Sequence, residues 1–130
     1  MRTFLLAAVA ALVVSFGGTQ AAVAAGAKSV KVTAAKPSEF KFKLSSSKVK
    51  LGKVTFTITN SGAIVHDFKV CSVSTKNAKA NTCNGKSSKK LSPHQSTKIV
   101  VTFKKKGAYE YLCTVAGHAA AGMKGLITVS

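Results

Sequence analysis

Short runs in which apolar and polar residues alternate recur along the chain, and a period of two demands strands, not helices. Val54, Phe56 and Ile58 interleave with Thr55, Thr57 and Thr59. Ile99, Val101 and Phe103 repeat the pattern, as do His66, Phe68 and Val70. Phe40, Phe42 and Leu44 alternate with Lys41 and Lys43, and Tyr109, Tyr111 and Cys113 follow Gly107 in the same phase. Residues 27–34 and 126–129 read as the first and last strands. Successive side chains of a strand point to opposite faces, so each run offers one face to a core and one to water. Breaks such as Asn60-Ser61-Gly62 and Ser92-Pro93 separate the runs. The expected fold is all-β, a sandwich or barrel. No segment carries a helical period. Residues 72–95 are rich in Lys, Ser and Asn. They are expected to form a loop excursion with room for at most a short helical turn.

The strands begin after a different kind of segment. Arg2 precedes an apolar run from Phe4 to Phe16, and Ala22-Val23-Ala24 offers a small-residue cleavage site. Residues 1–25 therefore read as a secretory signal peptide, and residues 26–130 as one domain with a single core. An uncleaved anchor is the alternative. Export implies a periplasmic, secreted or cell-surface product. Arg2 is the sole arginine, so the domain carries 19 lysines against Glu39, Asp67 and Glu110, a net charge of +16 with histidines neutral. Such a surface favours anionic partners: an acidic protein, an anionic polymer or a membrane surface. Nucleic acid is disfavoured, because the domain has no arginine for bidentate contacts. The domain is expected to be a monomer.

Three cysteines in an exported chain leave one thiol over. Phe68 and Val70 should face the core, so Cys71 should point outward, beside the excursion that holds Cys83. A Cys71–Cys83 disulfide would pin that excursion and leave Cys113 free. Pairing that involves Cys113 is the alternative. Cys113, His118 and Met123 fall in a C-x4-H-x4-M spacing between the last two strands. A free thiol in an oxidising compartment needs an occupant, and a soft metal supplies one. Thiolate, imidazole and thioether together suit copper, and two imidazoles with one thiolate and a weak axial thioether form an electron-transfer arrangement. The second imidazole is expected from His66, on the inward phase of its strand. His94 lies in a turn and is the other candidate. Zinc is the rival metal, but zinc sites rarely use methionine. No nucleophile triad or paired carboxylates suggest an enzyme.

Taken together, these residues resemble the cupredoxin family of blue copper proteins. The marks are Asn60-Ser61-Gly62 before His66, Leu91-Ser92-Pro93 before a strand, Tyr109-Glu110-Tyr111-Leu112-Cys113, Gly117-His118 and Gly122-Met123-Lys124-Gly125. The loop spacing is similar to that of auracyanin and rusticyanin. The resemblance implies a Greek-key sandwich of seven or eight strands. It implies one copper ion, Cu(I) or Cu(II), on His66 Nδ1, Cys113 Sγ and His118 Nδ1, with Met123 Sδ axial. It also implies that the residue after the first histidine ties the two metal-binding loops together. That residue is Asp67, which can accept from the backbone or hydroxyl of Thr114 and would lower the copper potential. The implied function is a type 1 blue-copper one-electron carrier between redox partners outside the cytoplasm. Copper sequestration or delivery is the alternative function, and an adhesive sandwich the third.

Overall fold

The computed structural model describes residues 26–130, together with Gly18, so the expected signal segment lies otherwise outside the described residues. Among the described residues nine strands form: β1 Ser29–Ala34, β2 Phe42–Leu44, β3 Lys48–Val49, β4 Gly52–Asn60, β5 Lys69–Ser74, β6 Gly85–Ser87, β7 Ser96–Phe103, β8 Gly107–Leu112 and β9 Lys124–Val129. They build two sheets, ordered β2-β1-β4-β7 and β3-β9-β8-β5-β6. β1 runs parallel to β4 and β3 parallel to β9, while the other pairs are antiparallel. The count exceeds the expected seven or eight because β3 and β6 are short strands whose residues carry no apolar alternation. Among the described residues no helix forms. The short helical turn allowed for within residues 72–95 does not appear.

The alternation decides which faces meet. Val30 and Val32 of β1 stand opposite Phe56 and Ile58 of β4, and all four are buried. They face Phe68, Val70, Tyr109, Ile127 and Val129 across the sandwich in one apolar cluster. Phe68 is the hub of its aromatic part, with Phe42, Phe56 and Tyr111 at ring-centroid separations of 5.2, 5.5 and 5.3 Å. Such pairs contribute about 0.5–1.5 kcal/mol each beyond burial of their area. The hub holds down the segment that carries His66, two residues earlier.

Three local expectations are corrected. Phe40 is not part of a strand. β2 starts only at Phe42, and Phe40 stands half exposed in the loop before it. The excursion 72–95 is not all loop, because β6 turns back onto β5 with Cys71 opposite Gly85. Cys71 does leave the main core for the opposite face of its sheet, but it does not reach solvent. It is buried with Leu112 and Ala119 beneath Ala80 and Cys83 of the excursion. The expected Cys71–Cys83 disulfide is present, with Cα atoms 5.6 Å apart, and Cys113 is free and buried. The cross-link closes a segment of 12 residues, worth about 3 kcal/mol in the chain-entropy account. A Cys71→Ser/Cys83→Ser double variant should lose about that much stability in urea unfolding. An unchanged midpoint would mean that packing alone holds the excursion.

Candidate metal centre

At one end of the sandwich the chain gathers its sulfur and imidazole donors. His66 enters on a short bridge: its N–H donates to Leu91 O (3.1 Å), and its carbonyl accepts from the Leu91 N–H (2.8 Å). Buried Asn60 shapes the turn before it, donating from Nδ2 to the carbonyls of Ile64 and Leu91, each at 2.8 Å. Cys113 ends the run of β8, and the loop from 113 to 123 folds back on itself. The Cys113 N–H donates to Met123 O, and the Met123 N–H to His118 O, both at 3.0 Å. Gly117 takes a φ of 80° just before His118, a left-handed turn that glycine adopts without strain.

All four residues expected from the sequence are buried, with His66, Cys113 and Met123 at 0% and His118 at 8% exposure. His66 Nδ1 lies 3.1 Å from His118 Nδ1, and Cys113 Sγ lies 3.5 Å from the same nitrogen. The donor atoms of His66, Cys113 and His118 all fall within 4.8 Å of one another. Met123 packs against Cys113 in a small apolar cluster with Ala34. Donors that share an ion at about 2.0–2.3 Å stand roughly 3–4 Å apart, as the two measured pairs do. A buried set of two imidazoles, one thiolate and a nearby thioether suits copper. His94 is not part of this group. It is exposed in its turn, with a φ of 68°.

The surroundings set the charge states. Burial pushes the Cys113 thiol up to about 11 in the metal-free protein. Burial, reinforced by the neighbouring His66, lowers the pKa of His118. Both shifts disfavour charge in a dry pocket. Asp67, also buried, ties the two donor-bearing segments together. Its Oδ1 accepts from the Thr114 N–H at 2.6 Å, and its Oδ2 accepts from the Thr114 hydroxyl.

One participant was not expected from the sequence. Glu39 Oε1 accepts from His66 Nε2 at 2.8 Å. Hydrogen bonds from His66 and then from the Ala63 N–H hold the Glu39 carboxyl below the usual range. The only sequence signal for it is that Glu39 is one of three carboxylates in a lysine-rich chain.

Comparison with known proteins agrees with this geometry. No curated protein matches the chain by sequence. Among solved structures, a reduced auracyanin from Roseiflexus castenholzii superposes with a TM-score of 0.64 at 22% identity, covering 81% of this chain and 98% of that one. Auracyanin B gives 0.60 at 24% identity, covering 81% and 90%. Rusticyanin from Thiobacillus ferrooxidans gives 0.60 at 23% identity, covering 81% and 79%. These likenesses establish the cupredoxin fold. The family described as copper binding proteins of the plastocyanin/azurin type matches residues 27–130. The metal of the site is therefore copper, and His66, Cys113, His118 and Met123 are arranged as a type 1 copper site. With four-fifths of its sequence matched and its donors so placed, the chain belongs to the plastocyanin/azurin family of copper-binding proteins.

Proposed function

We propose that this protein is a one-electron carrier working outside the cytoplasm, with His66, Cys113, His118 and Met123 as its copper-binding residues. Bound copper supplies the Cu(I)/Cu(II) couple. The observation that carries the reading is the burial of all four donors in a frame fixed by backbone hydrogen bonds. A frame that holds its donors in place before loading keeps reorganisation small, which suits exchange of one electron. The Cys71–Cys83 cross-link and the expected signal segment support export.

His118 is the donor nearest solvent, and it is the exit for the electron. Around it, Ala116, Gly117, Ala120 and Ala121 are exposed, as is Phe40, which packs edge-on against the His118 ring at 5.1 Å. Ile64 and Val65, just before His66, are also exposed. This rim is largely apolar, with Lys41 at its edge, and is suited to a brief, close encounter. The lysines act at longer range. Asp67 and Glu110 are buried, and Glu39 is engaged at His66. The accessible charge is therefore almost wholly positive, and an acidic redox partner is steered towards the protein.

The carrier is tested by the visible spectrum and voltammetry of the copper-loaded protein. An intense blue thiolate-to-copper band with a reversible one-electron wave is expected. A colourless, electrochemically silent copper complex would overturn the reading. Steering has its own test: stopped-flow electron transfer with an acidic redox protein should slow about tenfold or more between low and physiological ionic strength. A flat salt response would remove the lysine coat from the mechanism.

A further inference from the structure

Between β1 and β2 the chain makes a loop, residues 35–41, and three consecutive side chains of that loop reach three parts of the copper site. Glu39 Oε1 accepts from His66 Nε2 at 2.8 Å. The same carboxylate accepts from the backbone N–H groups of Ala63 (3.1 Å) and Ile64 (3.3 Å), in the turn that leads to His66. Phe40 packs its ring edge-on to His118. Lys41 Nζ donates to the carbonyl of Gly122 at 3.4 Å, one residue before Met123.

The choice of partner for Glu39 is informative. The domain holds 19 lysines as potential partners for a carboxylate. Among the described residues, however, the one acid–base pair within 4.0 Å is Glu39 with His66. Room for it is built in as well. A Cβ at residue 62 would collide with Glu39 Oε1 and come within 3.0 Å of His66 Nε2, so a larger residue there would press on the pair.

We propose that Glu39 is a positioning residue for copper, and that residues 39–41 form a clasp across the metal-binding loops. The inference rests on the copper reading above and adds a role for a residue outside the four donors. A carboxylate on Nε2 keeps the proton there, and the lone pair of Nδ1 then faces the pocket before any metal arrives. Without it, His66 divides between two tautomers, one of which points N–H at the donor cluster. The carboxylate also strengthens the imidazole as a donor and adds negative charge beside the site, and both effects favour Cu(II) over Cu(I).

Two variants separate positioning from mere support. Glu39→Gln keeps an oxygen acceptor for Nε2–H and removes the charge, while Glu39→Ala removes both. In the metal-free protein, long-range ¹H–¹⁵N spectra should show His66 protonated at Nε2 alone in the wild type and in Glu39→Gln, and a tautomer mixture in Glu39→Ala. In the copper-loaded protein, both variants should lower the Cu(II)-to-Cu(I) affinity ratio about tenfold, raising the midpoint potential by ~59 mV. Glu39→Ala should also lose about 10–100-fold in copper affinity. A blue Glu39→Ala variant with the wild-type tautomer and potential overturns the proposal. If the wild type bound no copper, the carrier reading would fail, and the tautomer spectra of the metal-free protein would still decide the role of Glu39.

Discussion

Cys113→Ser is expected to give a folded, colourless protein that no longer holds copper tightly. The substitution barely changes volume at a fully buried position, so secondary structure and the Cys71–Cys83 cross-link should persist. A hydroxyl replaces the soft donor, and Cu(I) loses the sulfur that selects it. A fall in Cu(I) affinity of about 100-fold or more is expected, ~2.7 kcal/mol. Competition with a calibrated Cu(I) chelator measures it, and retention of the blue band would place the thiolate elsewhere. The proton balance gives a second signature. In the metal-free protein the Cys113 thiol is raised from 9.0 to about 11 by burial, so it is protonated at neutral pH. Loading must release that proton, and copper binding therefore strengthens as pH rises towards 11. Stability of the metal-free fold runs the other way. The unfolded chain ionises from about 9 and the folded chain only near 11, so stability is lost as pH climbs through that window. Cys113→Ser should remove the thiol's share of both slopes.

The loop that carries Cys113 was legible because its donors are close in sequence and their spacing fixes their meeting. His66 was legible by phase, since the alternation that buries Phe68 and Val70 also turns His66 inward. Glu39 was not legible. It lies 27 positions from His66, and Phe40, Phe42 and Leu44 imitate a strand that would have carried the residue past the site. The chain instead breaks at Ala35, which adopts a φ of 62°, and the loop that follows delivers Glu39 and Phe40 to the two imidazoles. β6 escaped for a related reason. Gly85-Lys86-Ser87 is wholly exposed and has no apolar residue, so hydrophobic periodicity cannot report it. Backbone pairing with β5 and the neighbouring disulfide place it. Leu91, inside the polar excursion, is fully buried and pairs its backbone with His66. One apolar residue in a polar stretch has no period, and only its long-range partner gives it meaning.

Asp67→Asn is expected to raise the copper potential while leaving the fold nearly intact, and Asp67→Ala to raise the potential and loosen the site. The carboxylate accepts the N–H and the hydroxyl of Thr114, the residue directly after Cys113. It thus does two separable things. As an acceptor it fastens the segment after His66 to the segment after Cys113. As a charge, buried one residue from His66, it favours the more positive oxidation state. Asparagine keeps an oxygen for one of the two hydrogen bonds and loses the charge. A tenfold fall in the Cu(II)-to-Cu(I) affinity ratio corresponds to ~59 mV, and a rise of that order is expected for both variants. Alanine also removes both hydrogen bonds to Thr114, at a net cost of about 2 kcal/mol in the metal-free protein. Voltammetry reads the first effect and urea unfolding of the metal-free protein the second. Equal potentials for wild type and Asp67→Asn would show that the carboxylate acts only as a tie. Equal stability of wild type and Asp67→Ala would show that the copper-binding loops hold together without it. The Glu39 substitutions act on the far side of His66, through a carboxylate that shares no hydrogen-bond partner with Asp67. Their potential shifts should therefore add to those of Asp67. A Glu39→Gln/Asp67→Asn double variant that moves no further than either single variant would show instead that the two carboxylates act through one shared adjustment of His66.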